Sequence, residues 1–154
     1  GTDEQLRGLK VQDDGRVVFS GFAGINPRDV VVGRLDTDGA LDTSFAGDGA
    51  LNVSVSGGQD NASRLALDAQ GRILVAIGTD AGGSSPESAL LRVLPTGVPD
   101  ASFGADGVAT YSLAAGSDIE LLRDVAVAPN GRVVATGWAF GGATLDISTI
   151  RVCP

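Results

Sequence analysis

The chain contains few of the side chains that usually carry out catalysis. It has no histidine, so the usual general base and the commonest metal ligand are both missing. Its one cysteine, Cys153, lies near the C-terminus and has no histidine to activate its thiol. Aspartates are plentiful, but they recur in turn-forming sequences, where Asp commonly hydrogen-bonds its own backbone. We therefore predict that the protein is not an enzyme and uses no cofactor.

A weak calcium signal is present in one turn. Asp36 and Asp38, with Asp42 further on, have the alternating spacing of oxygen ligands in a calcium loop. The corresponding segment 94–97 of the next repeat has lost both leading carboxylates, and the closing glutamate of the helical motif is absent. An Asp-Gly turn is the alternative interpretation. We expect no metal site beyond this weak candidate.

Three arginines lie within apolar stretches, where an unpaired charge would be costly. Asp42 follows Arg34 by eight residues, and Asp100 follows Arg92 by the same distance. Because one turn separates the members of each pair, we predict a structural ion pair in both places. No Asp follows Arg151, so a partner chain could supply one, and Arg151 is a candidate interface residue.

Charge and length exclude several functional classes. The formal net charge is −8, and an acidic surface repels phosphate backbones, so nucleic-acid binding is not expected. No apolar run approaches the ~18 residues that a membrane-spanning helix needs.

The single Cys153 predicts a free thiol or, alternatively, a bridge to another chain. The sequence begins at Gly1 without methionine, which we interpret as a processed chain or an excised fragment.

Three motifs recur at spacings of 56 to 60 residues. They are a Gly-Arg pair before an apolar run (Gly15, Gly71, Gly131), an arginine inside an apolar run (Arg34, Arg92, Arg151), and a Ser-Phe loop (Ser44-Phe45, Ser102-Phe103). A repeat of this kind decides the architecture. We predict a single β-repeat domain, 1–154, with units at about 6–58, 62–116 and 121–154.

Each complete unit predicts four short antiparallel strands. The first alternates apolar and polar residues, as a half-buried strand does, and a Gly-containing hairpin turn follows it. The predicted second strands are 17–20, 73–77 and 133–136, each closed by a glycine (Gly21, Gly78, Gly137), with a β-bulge near Ala76. The predicted third strands are 30–35, 89–94 and 147–152, and the fourth strands are 51–55 and 109–113. The third unit has no fourth strand, which leaves an open sheet edge.

The aromatic residues divide into two groups. Phe45 and Phe103 repeat, so we predict that they fill the core beneath the Ser-Phe loop. Trp138 and Phe140 do not repeat, and we place them in the variable loop between the second and third strands. Binding residues often lie on such loops, so both are candidate interface residues.

These motifs resemble the bacterial delta-60 repeat family. The matching residues are Asp14-Gly15-Arg16, Gly21, Arg34, residues 38–45 and Asp48-Gly49 in the first unit, then Gly71-Arg72, Gly78, Arg92, residues 100–104 and Asp106-Gly107, and finally residues 129–132, Gly137 and Arg151. The resemblance implies four-stranded blades of β-propeller type in secreted or surface proteins of bacteria, and it implies no enzymatic activity. A closed propeller typically takes four to eight blades, and fewer than three complete units are present.

The fold class is therefore predicted as all-β, with consecutive propeller-like blades and an incomplete last blade. The leading hypothesis is an extracellular structural protein that self-assembles when a neighbouring chain adds a strand to the open edge, in a closed ring or a filament. The alternative is an adhesion module whose variable loops bind carbohydrate or a surface protein.

Overall fold

The computed structural model describes residues 3–80, 87–112, 119–141 and 144–152, and these form eleven β-strands. The first sheet consists of β1 (Glu4–Val11), β2 (Val17–Ala23), β3 (Asp29–Leu35) and β4 (Ala50–Val53). The second consists of β5 (Gln59–Leu67), β6 (Ile73–Asp80), β7 (Glu87–Val93) and β8 (Val108–Tyr111). The third consists of β9 (Ile119–Val127), β10 (Val133–Gly141) and β11 (Thr144–Val152).

Neighbouring strands in the chain are neighbours in every sheet, and all of them pair antiparallel. Two sheets have four strands, and the third has three strands in the described part of the chain. The predicted all-β fold with an incomplete last blade is confirmed. Within the described ranges, no helix is long and apolar enough to span a bilayer.

The hairpin turns follow from one glycine in each unit. Gly15, Gly71 and Gly131 have φ angles of 86°, 74° and 80°, in the left-handed region that glycine adopts without strain. Each turn is closed by a backbone bond such as that from Gln12 N to Arg16 O, at 2.8 Å. The residue before each glycine does not have a positive φ, so the loop is the three-residue type with a left-handed final residue.

The predicted ends of the second and fourth strands were wrong. Gly21, Gly78 and Gly137 lie inside β2, β6 and β10 because the sheets continue pairing beyond them. The fourth strands are shorter and begin one residue earlier than predicted, and position 113 lies outside the described residues.

The predicted bulge near Ala76 lies on the opposite strand. The β5–β6 register steps from Ala62 opposite Ile77 to Leu65 opposite Val75, so two β5 residues stand opposite Ala76. The first strands of the other two units shift register as well, at Arg7 in β1 and in β9 next to Leu122. The bulge is therefore a feature of every first strand, and not an insertion peculiar to the middle unit.

The sheets pack face to face, with one apolar layer on each side of the second sheet. The layer between the first and second sheets contains Val18, Val32, Leu65, Val75 and Leu91 among its buried residues. The layer between the second and third sheets contains Leu74, Leu90, Leu122, Val125 and Val133. The middle sheet is thus covered on both faces, which is why β6 is apolar and buried over nearly its whole length.

The first strands lie on the inner side of the assembly of sheets. β1 packs against β5 and β5 packs against β9, whereas β4 and β8 do not pack against each other to a comparable extent. The sheets therefore spread outward from the first strands, as the blades of a propeller do.

The half-buried pattern predicted for the first strands holds in two units and was wrong in β1. Leu65 and Val125 are 3% and 5% exposed, whereas the corresponding Leu9 is 66% exposed. These residues face the preceding sheet, and no sheet in the described structure precedes the first one. The alternation in β1 therefore marks an open apolar face.

Candidate functional site

The repeated arginine of the third strand forms a buried polar cluster with the loop that follows it. Arg34 Nε donates to Asp42 Oδ2 at 2.8 Å, and Arg34 Nη2 donates to Ser44 Oγ at 3.1 Å. The third donor, Nη1, reaches across to the second sheet and donates to Pro95 O at 2.8 Å. The guanidinium Cζ also lies 5.0 Å from the centroid of the Phe45 ring, within cation–π range.

Backbone geometry fixes this cluster locally. Asp42 N donates to Arg34 O at 2.9 Å, which returns the chain to the strand it left. Asp42 Oδ1 then accepts bonds from Ser44 N at 3.0 Å and from Ser44 Oγ at 2.6 Å, so the aspartate caps the loop. The side chain of Phe45 is fully buried at the base of this loop.

The second unit repeats the arrangement. Arg92 Nε donates to Asp100 Oδ2 at 2.8 Å, and Arg92 Nη2 donates to Ser102 Oγ at 2.9 Å. Its guanidinium lies 4.5 Å from the centroid of Phe103. The Arg34–Asp42 and Arg92–Asp100 pairs are thus both formed, and the two phenylalanines lie beneath them. The bond of Arg34 to a carbonyl of the next sheet has no counterpart at Arg92 among the described residues.

Each aspartate also faces a second arginine, from the Gly-Arg motif. Arg16 Nε lies 3.2 Å from Asp42 Oδ2, and Arg72 Nη1 lies 3.9 Å from Asp100 Oδ2. These contacts were not predicted, nor were the roles of Ser44 and Ser102. Recurrence of the Gly-Arg and Ser-Phe motifs with one period was the signal that could have connected them.

The hydroxyl of Ser44 is the largest reason that the pKa of Asp42 is lowered to about 2. Desolvation opposes the shift, and the Ser44 amide and Arg34 add to it. The pKa of Asp100 is lowered in the same way, chiefly by Ser102. Both carboxylates are therefore ionised at neutral pH and have their oxygens engaged, which suits a structural anchor and not a proton donor.

The carboxylates of Asp36 and Asp42, two of the three in the weak calcium candidate, have separate structural roles. Asp36 Oδ1 accepts bonds from Asp38 N at 3.0 Å and from Ala40 N at 2.9 Å, which makes the segment an Asp-capped turn. Asp42 is held by Arg34 and Ser44. In the described part of the chain no group of three or more His, Cys, Asp or Glu side chains is placed to hold a metal ion. The geometry does not support the calcium interpretation.

The predicted loop position of Trp138 and Phe140 was wrong, because both lie on β10, which continues to Gly141. Trp138 is paired with Leu121 on one side and Ile147 on the other. Arg123 Cζ lies 5.7 Å from the centroid of the Trp138 ring. Their role at an interface stays a prediction, now for a strand and not a loop.

The remaining candidates lie at the end of the chain. Arg151 is exposed on β11 opposite Val134, and within the described ranges the structure gives its side chain no hydrogen bond or ion pair. Its two counterparts, Arg34 and Arg92, bind the Asp and Ser of a following loop. Cys153 lies outside the described residues.

Meander sheets that pack face to face and spread from their first strands define β-propeller-type repeats, and each of the first two units contains one buried polar cluster. Segments 12–45 and 71–103 match a family model described as "Domain of unknown function (DUF5122) beta-propeller". These segments contain the Gly-Arg and Ser-Phe motifs of the first two units. A search of curated proteins finds no match.

Proposed function

We propose that the protein is a non-catalytic structural module that self-assembles head to tail through the open faces of its first and last sheets. In this proposal the outer face of the third sheet of one copy packs on the outer face of the first sheet of another. The two contacts inside the chain, between successive sheets, provide the pattern for the contact between chains.

The main observation in support of the proposal is the exposure of Ile147 on β11. Ile147 stands four residues before Arg151, as Val30 stands before Arg34 and Ser88 stands before Arg92. Val30 and Ser88 are 0% exposed, whereas Ile147 is 89% exposed. Burying a large aliphatic side chain stabilises a contact by about 1.5–3 kcal/mol, so this position favours a covering sheet.

The outer face of the first sheet, at the other end of the described structure, is also uncovered. Leu9 and Val11 are 66% and 63% exposed, although Leu65, the counterpart of Leu9, is buried against the preceding sheet. Each end of the chain therefore presents the face that an adjacent repeat would cover. A head-to-tail contact of this kind closes a ring where the rotation permits, and otherwise extends into a filament. Two copies would bring six sheets together, within the usual range for a closed propeller.

Strand addition at β11 is a second route to the same assembly. Arg34 N donates to Gly49 O at 2.9 Å and Arg92 N donates to Gly107 O at 2.8 Å, along the edge where the fourth strand lies. The backbone N–H of Arg151 has the corresponding position on β11. A neighbouring chain could add a strand there, and two β11 edges could also pair with each other.

The test uses Leu9→Lys and Ile147→Lys, with Thr144→Lys, an exposed position on β11, as the matched control. Sedimentation velocity at micromolar concentration should show oligomers for the unmodified chain and for the control. Each of the two other variants should be monomeric because one end is blocked. An equimolar mixture of the two should give only dimers, because each variant retains one functional end.

Two other results of this experiment would contradict the head-to-tail arrangement or self-assembly itself. If Leu9→Lys still forms dimers while Ile147→Lys does not, the contact is β11 against β11 and the head-to-tail arrangement is wrong. A monomeric unmodified chain at all concentrations would refute self-assembly and leave the binding-module alternative.

The location is also a proposal. The resemblance to the delta-60 repeats supports an extracellular or cell-surface bacterial protein. The chain contains no histidine, and the described carboxylate pairs serve as structural anchors, which supports a non-catalytic role.

A further inference from the structure

An arginine lies in the bulge of each first strand. These bulge arginines are Arg7 in β1, Arg64 in β5 and Arg123 in β9. A β-bulge leaves one residue outside the regular pairing and redirects its side chain, and bulges are frequent beside binding sites. The three bulges therefore set three guanidinium groups apart from the sheets that carry them.

In two units the bulged first strand requires the repeated glycine of the second strand. A Cβ on Gly21 would overlap the carbonyl oxygen of Gln5, and a Cβ on Gly137 would overlap that of Leu121. Glycine thus allows the first strand to approach closely as it bulges. This glycine therefore has a second structural role, because the bulge that it permits also sets the position of the adjacent arginine.

Because the first strands of successive sheets are in contact, the three arginines meet in the same space. All three line a cavity of about 390 Å³ together with Ser63 and Asp124. Arg7 and Arg123 also line a neighbouring cavity of about 270 Å³, with Asn61 and Ser63. Side chains from three different repeats therefore converge on one region.

The charge in this region is opposite to that of the whole chain. Lys10, Arg64 and Asp124 line a third cavity of about 260 Å³. Asp124 lines the first and third of these cavities and is the single carboxylate among the lining residues, against the three bulge arginines and Lys10. The chain as a whole has a formal charge of −8, so a local excess of positive charge is not a reflection of its composition.

The bulge arginines keep donors free for a ligand. Within the described ranges the structure gives Arg64 no hydrogen bond or ion pair, and its side chain is exposed. Arg7 donates to Gln5 Oε1 at 2.8 Å through Nη2 alone. Arg123 lies against the face of Trp138 at 5.7 Å, which orients its guanidinium.

We propose that the bulge arginines form a binding site for a compact polyvalent oxyanion, in which carboxylate, sulfate or phosphate groups accept paired bonds from the guanidinium forks. Planar guanidinium groups bind such oxyanions through two parallel hydrogen bonds. The hydroxyl of Ser63 and the amide of Asn61 add neutral donors beside them. The presence of Asp124 disfavours a bare chloride-like site and favours a ligand that also carries a hydrogen-bond donor, such as a hydroxyl.

Isothermal titration with citrate, sulfate and inorganic phosphate, each in a separate experiment at low ionic strength, tests the site. We expect saturable binding of one ligand per chain, strongest for citrate because it carries three carboxylates and a hydroxyl. Arg64→Gln should weaken this binding by about tenfold, since it removes charge-assisted hydrogen bonds. Arg132→Gln is the matched control, because Arg132 is exposed outside these cavities, and it should bind as the unmodified chain does.

The double variant Arg7→Gln with Arg123→Gln provides an independent arm. It should also lose binding while its circular dichroism spectrum and Tm stay close to those of the unmodified chain. The proposal is overturned if none of the three anions binds saturably, or if Arg132→Gln weakens binding as much as Arg64→Gln. A preference for sulfate or phosphate over citrate would retain the site and identify the ligand group.

Discussion

Arg34 Nη1 donates to Pro95 O at 2.8 Å, which joins the polar cluster of the first sheet to a turn of the second. The same turn receives Ala46 N, which donates to Thr96 O at 2.9 Å. The Ser-Phe loop of the first repeat is therefore hydrogen-bonded to the second repeat as well as to its own third strand. This relationship makes the polar cluster a joint between sheets.

Replacing Arg34 by lysine should destabilise the protein more than replacing Arg92 by lysine. Lysine keeps the charge but lacks the fork that binds Asp42, Ser44 and Pro95 together. Arg92→Lys is the matched comparison, because Arg92 makes the equivalent bonds within its own unit. We expect a difference of about 1 kcal/mol in the free energy of unfolding, measured in urea. Equal losses would show that the bond to Pro95 contributes nothing.

Replacing Asp42 by asparagine should lower the Tm by several degrees. The substitution keeps the size of the side chain but leaves Arg34 and Arg16 without their carboxylate. Asp13→Asn removes the same charge from an exposed turn and should leave the Tm unchanged. Differential scanning calorimetry provides the comparison, and similar Tm values for the two variants would contradict a stabilising pair.

The free energy of unfolding should depend on pH through the ionisation of the Asp42 carboxyl group. Its pKa is lowered from 3.8 to about 2, mainly by the Ser44 hydroxyl, so the unfolded chain binds this proton more tightly than the folded one. The stability that it contributes is complete above the unfolded pKa and is lost as the pH falls through the folded value. We expect the free energy of unfolding to fall between about pH 4 and about pH 2, and Ser44→Ala to flatten that fall. Ser54→Ala, at an exposed position, should keep the slope of the unmodified chain.

Substituting alanine for Gly137 should be more costly than substituting it for Gly39. A methyl group at Gly137 would overlap the carbonyl of Leu121, so the bulge beside it would have to rearrange. Gly39 has a φ of 86° but nothing within 4 Å, so only backbone strain opposes the change. We expect losses of about 3 kcal/mol and about 1 kcal/mol respectively, measured by chemical unfolding. A Gly39→Ala loss as large as that of Gly137→Ala would count against the close approach.

The hairpins and the arginine–aspartate pairs were predictable because each depends on neighbours along the chain. Gly15 requires only its own φ, and Asp42 reaches Arg34 across one tight turn. Strand ends were less predictable. A glycine such as Gly21 interrupts the run of strand-forming residues in the sequence and therefore predicts a strand end. In the structure Gly21 is paired with Leu6, and the strand continues past it.

The bulge arginines were missed because their position around one cavity depends on how separate sheets are placed. Arg7, Arg64 and Arg123 are spaced by 57 and 59 residues, close to the period of the other motifs, and this was the available signal. Their spacing alone did not distinguish them from ordinary exposed arginines, since the register shift that sets them apart becomes visible only when strands are paired.

The sequence by itself determined the repeat, its turns and its local polar clusters, because these depend on residue types a few positions apart. Tertiary structure decided which apolar faces are covered. Leu9 and Leu65 have the same place in their units, yet one is exposed and the other is buried, because only the second has a sheet packed before it. Burial depends on what lies across an interface, and that cannot be determined from the strand that carries the residue.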